Sequence, residues 1–171
     1  MNVGTTQGIQ ISSAVVKVPL KIEGGPKAQL LRDTLKAAPQ PAAPQSVELV
    51  LEGLEYKLHP GSMFDIFLEK KSNPSQRVYV GTLSFFAAPL APGKGKQHGG
   101  HHHGATTMRR TFDVSDEMRE LVGPGLNTGD IQVVFEATTG EAGSTPERAK
   151  AFFNPKRSDF RVKSIELHVT Q

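Results

Sequence analysis

The sequence of 171 residues contains no cysteine and no tryptophan. Without cysteine, the chain forms no disulfide and offers no thiolate nucleophile, zinc–thiolate site or iron–sulfur ligand. It also has no apolar run of roughly 18 residues, the length that a membrane-spanning helix needs, so no membrane span is predicted. The segment from Met1 to Leu20 lacks a basic start followed by an apolar stretch, and no secretory leader is expected in it.

Neither sign of charge is in large excess, since 20 Lys and Arg against 17 Asp and Glu leave a net charge of +3. A nucleic-acid-binding protein normally gathers its basic residues, together with aromatics, on one face. Here the basic residues are spread along the chain instead. Aromatic residues are also few: nine Phe and two Tyr. A carbohydrate-binding sandwich usually presents Trp or Tyr to stack on sugars. The composition therefore argues against both of these partner classes.

The first part of the chain contains an extended segment, a helix and a linker. Ile9–Ile22 is rich in β-branched residues and predicts a strand. Pro26–Ala38 begins with a proline suited to a first helical turn and repeats leucine at helical spacing, which predicts a short helix. Ala38–Gln45 has three prolines in eight residues, and this composition is typical of a stiff linker. We expect it to divide the chain into residues 1–45 and 46–171.

After the linker the apolar residues recur at every second position, which is typical of strands. A helix is predicted from Ser115, as N-cap, to the glycine at 123. The fold class predicted is therefore mainly β: an antiparallel β-sandwich or jelly-roll-like barrel with one or two short helices. Strands are expected at residues 47–56, 64–68, 77–86, 108–114, 130–137 and 160–169.

The last strand changes its alternation. Phe160 and Val162 share one parity, whereas Ile165, Leu167 and Val169 share the other. One face of a strand cannot hold both sets without an extra residue, so a β-bulge is predicted near residues 163–164.

Histidine is the one residue type that is strongly clustered. Neutral imidazole is a common ligand of copper, nickel and zinc, and several close imidazoles can chelate one ion. Adventitious binding by a polar loop remains the alternative. A glycine-rich loop does not hold a preorganised catalytic metal centre. Four of the six histidines lie within residues 97–104: His98, His101, His102 and His103.

The two other histidines are interpreted as structural: His59 as a turn residue, and His168 as a surface or edge-strand residue. The sequence also contains no G-x-S-x-G, no Walker loop, and no G-x-G-x-x-G between a strand and a helix. The chain is therefore not expected to be an enzyme by itself.

The order of the segments resembles the C-terminal domain of tyrosinases and polyphenol oxidases, the type-3 copper enzymes. Plant members have a similar run of an "EGIE" strand, a "KFDVYIN" strand, an "AGSF" strand entering a His/Lys-rich loop, an "L-x-x-L" helix and a "GGIKIE" end. The segments that carry the resemblance are VELVLEGLEY, FDIFLE, YVGTLSFF, RRTFDVSDEMRELV, DIQVVFEA and FRVKSIELHV, in this order.

This resemblance implies a non-catalytic sandwich domain that lies over the copper site of a separate catalytic domain and keeps the enzyme latent. The ligands of the catalytic copper pair would belong to that catalytic domain. One side chain, the placeholder, would project into the substrate cavity. The candidates are Leu90, Phe86 and Met63, of which Leu90 is favoured because it lies in the segment AAPLAP, whereas Phe64 is interpreted as a core residue.

The His-rich loop would then be able to collect copper and pass it inward. Two alternatives stay open: a stand-alone copper-binding or metal-chaperone β-sandwich, and a small ligand-binding β-sandwich.

Overall fold

The computed structural model describes residues 1–37, 45–85, 108–123 and 128–170. These residues form eight strands, four short helices and one turn of 3₁₀ helix. In chain order the elements are β1 (Asn2–Gln10), β2 (Val15–Pro19), α1 (Pro26–Lys36), β3 (Ser46–Glu55), β4 (Met63–Lys70), β5 (Arg77–Leu83), β6 (Met108–Asp113), α2 (Ser115–Val122), the 3₁₀ turn (Thr128–Asp130), β7 (Ile131–Thr138), α3 (Pro146–Ala149), α4 (Pro155–Ser158) and β8 (Arg161–Thr170).

The strands form two antiparallel sheets of four, in the orders β1-β8-β3-β6 and β2-β7-β4-β5. Among the described strands, β4 and β5 are the only consecutive pair within one sheet, and all other consecutive strands lie in opposite sheets. This strand order is that of a jelly roll. The predicted sandwich is confirmed, but over the described residues the two sheets stay separate and do not close into a barrel.

The extended N-terminal segment is two strands. β1 pairs with β8 in one sheet, and β2 pairs with β7 in the other. Residues 11–14 cross between them, with Ile11 and Ala14 buried at the crossing. Both parts of the chain that the Pro-rich segment was expected to divide therefore contribute strands to the same two sheets.

The core lies between the sheets and is filled by alternate residues of the strands. The phenylalanines at 64, 135 and 160 are completely buried there. Helix α1 occupies nearly the predicted range and buries Leu31 and Leu35, while α2 buries Met118, Leu121 and Val122. No helix in the described ranges is both long and apolar enough to cross a membrane.

The connections sort into two ends of the sandwich. Because the paired strands are antiparallel, the last residues of β1, β3, β5 and β7 meet the first residues of β2, β4, β6 and β8. We call this the loop end, and of the described residues it carries 11–14, 56–62, 84–85 and 139–160. The opposite end carries α1, α2 and the β4–β5 turn, and the Arg119 side chain donates there to the Leu35 carbonyl at 3.2 Å.

Candidate functional site at the loop end

The loop end rests on a buried cluster of phenylalanine rings. The ring of Phe64 lies 5.1 Å from that of Phe153 and 5.5 Å from that of Phe160, and the rings of Phe85 and Phe160 are 5.0 Å apart. Most of these pairs meet edge to face, the arrangement that aromatic quadrupoles favour. Phe64 is thus a core residue, as the sequence suggested, and the cluster forms a packed floor beneath the loops.

The β3–β4 turn is fixed by a local hydrogen bond and by a close backbone approach. The Gly61 N–H donates to Nδ1 of His59 at 3.0 Å, so this ring nitrogen acts as an acceptor. Gly61 has φ +82°, and a Cβ at this position would lie 2.3 Å from the carbonyl oxygen of Phe152. Only glycine combines this backbone angle with this approach. His59 is therefore a turn residue, and the turn packs directly on the Phe152 backbone.

A cleft of about 440 Å³ opens beside this turn. Its walls come from the turn and the start of β4 on one side, and from the end of β7, the following loop and α3 on the other. The lining residues are His59, Gly61, Ser62, Met63, Thr138, Thr139, Glu141, Arg148 and Phe152.

Three polar side chains of the cleft stand out. Ser62 is 6% exposed, and its hydroxyl has no hydrogen-bond partner among the residues that the structure describes. Arg148 and Glu141 are exposed, and neither forms an ion pair within the described part of the chain. Arg148 lies on α3, whose first turn is capped when Thr145 Oγ1 accepts the Arg148 N–H at 3.3 Å. The cleft thus holds one charge of each sign and one unsatisfied hydroxyl.

The apolar part of the cleft is formed by Met63 and Phe152. Met63 is half-buried and packs so closely on Gly140 that a Cβ there would lie 2.0 Å from its methyl carbon. Phe152 is 63% exposed, the largest exposure among the described aromatic residues. Leu58, in the same turn as His59, is exposed as well.

Several of these residues were missed by the sequence analysis. One signal for Phe152 was present: it precedes Phe153, and adjacent residues of a helical turn do not face the same side. One of the two rings therefore had to leave the core, and it is Phe153 that is buried. No comparable signal marks Ser62, Glu141 or Arg148, since no motif joins them.

Of the residues predicted as sites, Met63 is the one that the structure describes. The metal candidates His98, His101, His102 and His103 and the placeholder candidates Phe86 and Leu90 lie outside the described residues.

The described residues that flank this segment, Phe85 and Met108, lie at the loop end. The Phe85 ring is 6.1 Å from the ring of His59, and Met108 pairs with Leu54 at the end of β3. The two described residues on either side of the His-rich segment therefore lie at the same end of the sandwich as the cleft.

His168 lies elsewhere, toward the opposite end of the sandwich, which carries α1 and α2. It was expected at the surface or on an edge strand, but β8 is an interior strand of its sheet. Its side chain is 25% exposed and its Nε2 lies 2.8 Å from the Glu166 carboxylate. Hydrogen bonds from His168 and Ser164 hold the pKa of Glu166 below its usual value, although burial opposes them.

Within the described ranges, no three His, Asp or Glu side chains are grouped so that they could hold a metal ion. Comparisons of the chain with protein-family models, with curated proteins and with solved structures found no match. The function is therefore argued from the loop end itself and from the segments that carry the resemblance.

Proposed function

We propose that this chain is a non-catalytic domain that covers the binuclear copper site of a tyrosinase or polyphenol oxidase catalytic domain and keeps that enzyme latent. The observation that supports this is the order of the segments in the fold. The six segments that carry the resemblance form β3, β4, β5, β6 with α2, β7 and β8 of one jelly roll. Along the chain, the ends of these strands alternate between the loop end and the opposite end of the sandwich.

The loop end offers an apolar contact surface on a packed base. Leu58 and Phe152 are exposed there, and Met63 lies in the cleft beside Phe152. The aromatic cluster beneath them restrains the loops, so little conformational freedom is lost on docking. A covalent tether would give such a surface an effective concentration of about millimolar, at which even weak docking closes a site.

Latency can be tested in a fusion protein. A copper-loaded polyphenol oxidase catalytic domain is joined to residue 1 through a flexible linker with a protease site, and catechol oxidation is measured before and after cleavage. A second fusion carries an unrelated domain of similar size. We expect low activity before cleavage and a large rise after dilution and cleavage, in the first fusion alone. Equal rates before and after cleavage would overturn the proposal.

Surface variants locate the docking contact. Phe152→Ser should raise the activity of the uncleaved fusion, because losing an exposed aromatic anchor weakens docking by about ten-fold or more. Tyr79→Ser is the matched control, because Tyr79 is 51% exposed but lies within strand β5 and not in the loops of the loop end. Equal activation by both variants would contradict docking through the loop end.

We further propose that the segment with His98, His101, His102 and His103 collects copper for the covered site. The supporting observation is that its flanking residues, Phe85 and Met108, lie at the loop end. Imidazoles on a glycine-rich segment would thus be carried on the docking side of the domain.

The copper proposal predicts binding by the isolated chain at pH 7. Calorimetric titration should show stoichiometric copper binding tighter than about micromolar, near 8 kcal/mol. Replacing the four histidines with alanine should abolish it, whereas His168→Gln, far from the loop end, should leave it unchanged. Weak binding, or binding that survives the four substitutions, would leave the domain as a passive cover.

A further inference from the structure

We propose that the cleft at the loop end binds a small apolar amino acid in its zwitterionic form. The residues that would hold the ligand all lie in the described part of the chain, and the inference does not rest on the proposed latency. Three features of the cleft point to this ligand: an unsatisfied hydroxyl, a pair of opposite charges, and an apolar wall.

The hydroxyl of Ser62 is the first part. Ser62 lines the cleft and is 6% exposed, and within the described ranges its Oγ has no hydrogen-bond partner. An unsatisfied buried polar group costs roughly 1–3 kcal/mol, and such groups are rare in folded proteins. A polar atom of a bound molecule would supply the missing partner.

The two charges of the cleft are the second part. Arg148 and Glu141 both line it, and neither is paired with another side chain in the ranges that the structure describes. A guanidinium favours a carboxylate, often through two parallel hydrogen bonds. A ligand with a carboxylate alone would also face Glu141, and one with an ammonium alone would face Arg148. A zwitterion satisfies both.

The apolar wall is the third part. Met63 and Phe152 line the same cleft, and Phe152 is 63% exposed without a ligand. An aliphatic or aromatic side chain would cover part of this surface, and methionine sulfur contacts aromatic rings favourably. The cleft volume of about 440 Å³ lies in the lower part of the usual range for small-molecule sites. These walls favour an amino acid such as phenylalanine or leucine over a larger ligand.

The test uses the purified chain and L-phenylalanine, followed by NMR chemical shifts and calorimetry. Phenylacetate, which lacks the ammonium, and phenethylamine, which lacks the carboxylate, are the matched probes. We expect saturable binding of L-phenylalanine with a Kd below about 1 mM, and binding at least about ten-fold weaker for each analogue. No saturation up to tens of millimolar, or equal binding of the three probes, would overturn the proposal.

Two substitutions show whether the named side chains form the site. Arg148→Gln should weaken L-phenylalanine binding by about ten-fold, the usual order for a lost charge-assisted contact. Arg157→Gln is the control, because Arg157 is exposed on the adjacent helix α4 and does not line the cleft. Equal loss in both variants would point to a general charge effect and overturn the assignment.

The substitution Ser62→Ala distinguishes a serine that contacts the ligand from one that only stabilises the fold. It removes an unsatisfied hydroxyl from the free protein, so the thermal midpoint without ligand should stay the same or rise. It also removes a ligand contact, so L-phenylalanine binding should weaken. A lower midpoint combined with unchanged binding would show that the hydroxyl serves the fold and would overturn its assignment to the ligand.

Discussion

Ser115 lies where strand β6 leaves its sheet and helix α2 begins. It is 8% exposed, and its hydroxyl accepts the Val47 N–H at 2.9 Å while donating to Asp113 Oδ1 at 2.6 Å. Asp113 also accepts the Ser115 N–H at 3.0 Å, and the Val114 N–H reaches the Val47 carbonyl. One hydroxyl thus joins the start of β3 to the start of α2.

Replacing this serine should therefore destabilise the whole fold. In Ser115→Ala the buried Val47 N–H loses its acceptor, and we expect the free energy of unfolding to fall by about 1–3 kcal/mol. Urea denaturation measures the change. Ser75→Ala, in an exposed turn, removes a hydroxyl that bonds only to the Asn73 side chain and should change the stability by less than about 0.5 kcal/mol. Equal effects of the two substitutions would contradict this role.

The sequence predicted α2 and its end correctly, yet it gave Ser115 the wrong position. Ser115 is the first helical residue, and Val114 occupies the N-cap without a side-chain bond. The partner of the hydroxyl, Val47, is 68 residues away. A local pattern of capping residues contains no information about a contact so distant in the chain.

At the level of the elements, the bulge that was predicted near residues 163–164 of β8 lies in a different strand pair. The pairing of β8 with β3 has no register shift there, with Ser164 opposite Glu52 and Val162 opposite Leu54. The shift lies one strand away, between Leu51 and Leu54 in the pairing of β3 with β6. Gly53, which lies between these leucines, has φ +62°. The alternation in β8 indicated an irregularity in this sheet, but it did not indicate which pair of strands contains it.

Gly53 should resist substitution more than Gly8, which lies in strand β1 and also has a positive φ. A Cβ at Gly53 would lie 2.5 Å from Cβ of Lys163, whereas a Cβ at Gly8, with φ +69°, would have no described atom within 4 Å. Gly8→Ala should cost about 1–2 kcal/mol through its backbone angle alone. Gly53→Ala adds the overpacking and should cost about 3 kcal/mol. Thermal or urea unfolding compares them, and similar losses would show that the close approach relaxes freely.

For the molecule as a whole, alternation and turn residues were sufficient to predict a β-sandwich and most of its strands. They could not predict which strands pair, because a strand's period of two is the same whatever its neighbour. The candidate site shows the same limit. Met63 and the histidines were noticed through local sequence, but the cleft joins residues 59–63, 138–141 and 148–152, which only the folded chain brings together.

The position of β8 also affects the rate and the order in which the chain folds. β8 lies between β1 and β3, and Asn2 pairs with His168. Such distant pairings raise the contact order, and sandwiches of this kind fold in roughly milliseconds to seconds. During synthesis β1 and β3 emerge well before their common partner, and until it arrives their backbone edges are open to other chains. Strand β8, which is made after both of its neighbours, is thus the one that protects the edges of β1 and β3 from aggregation.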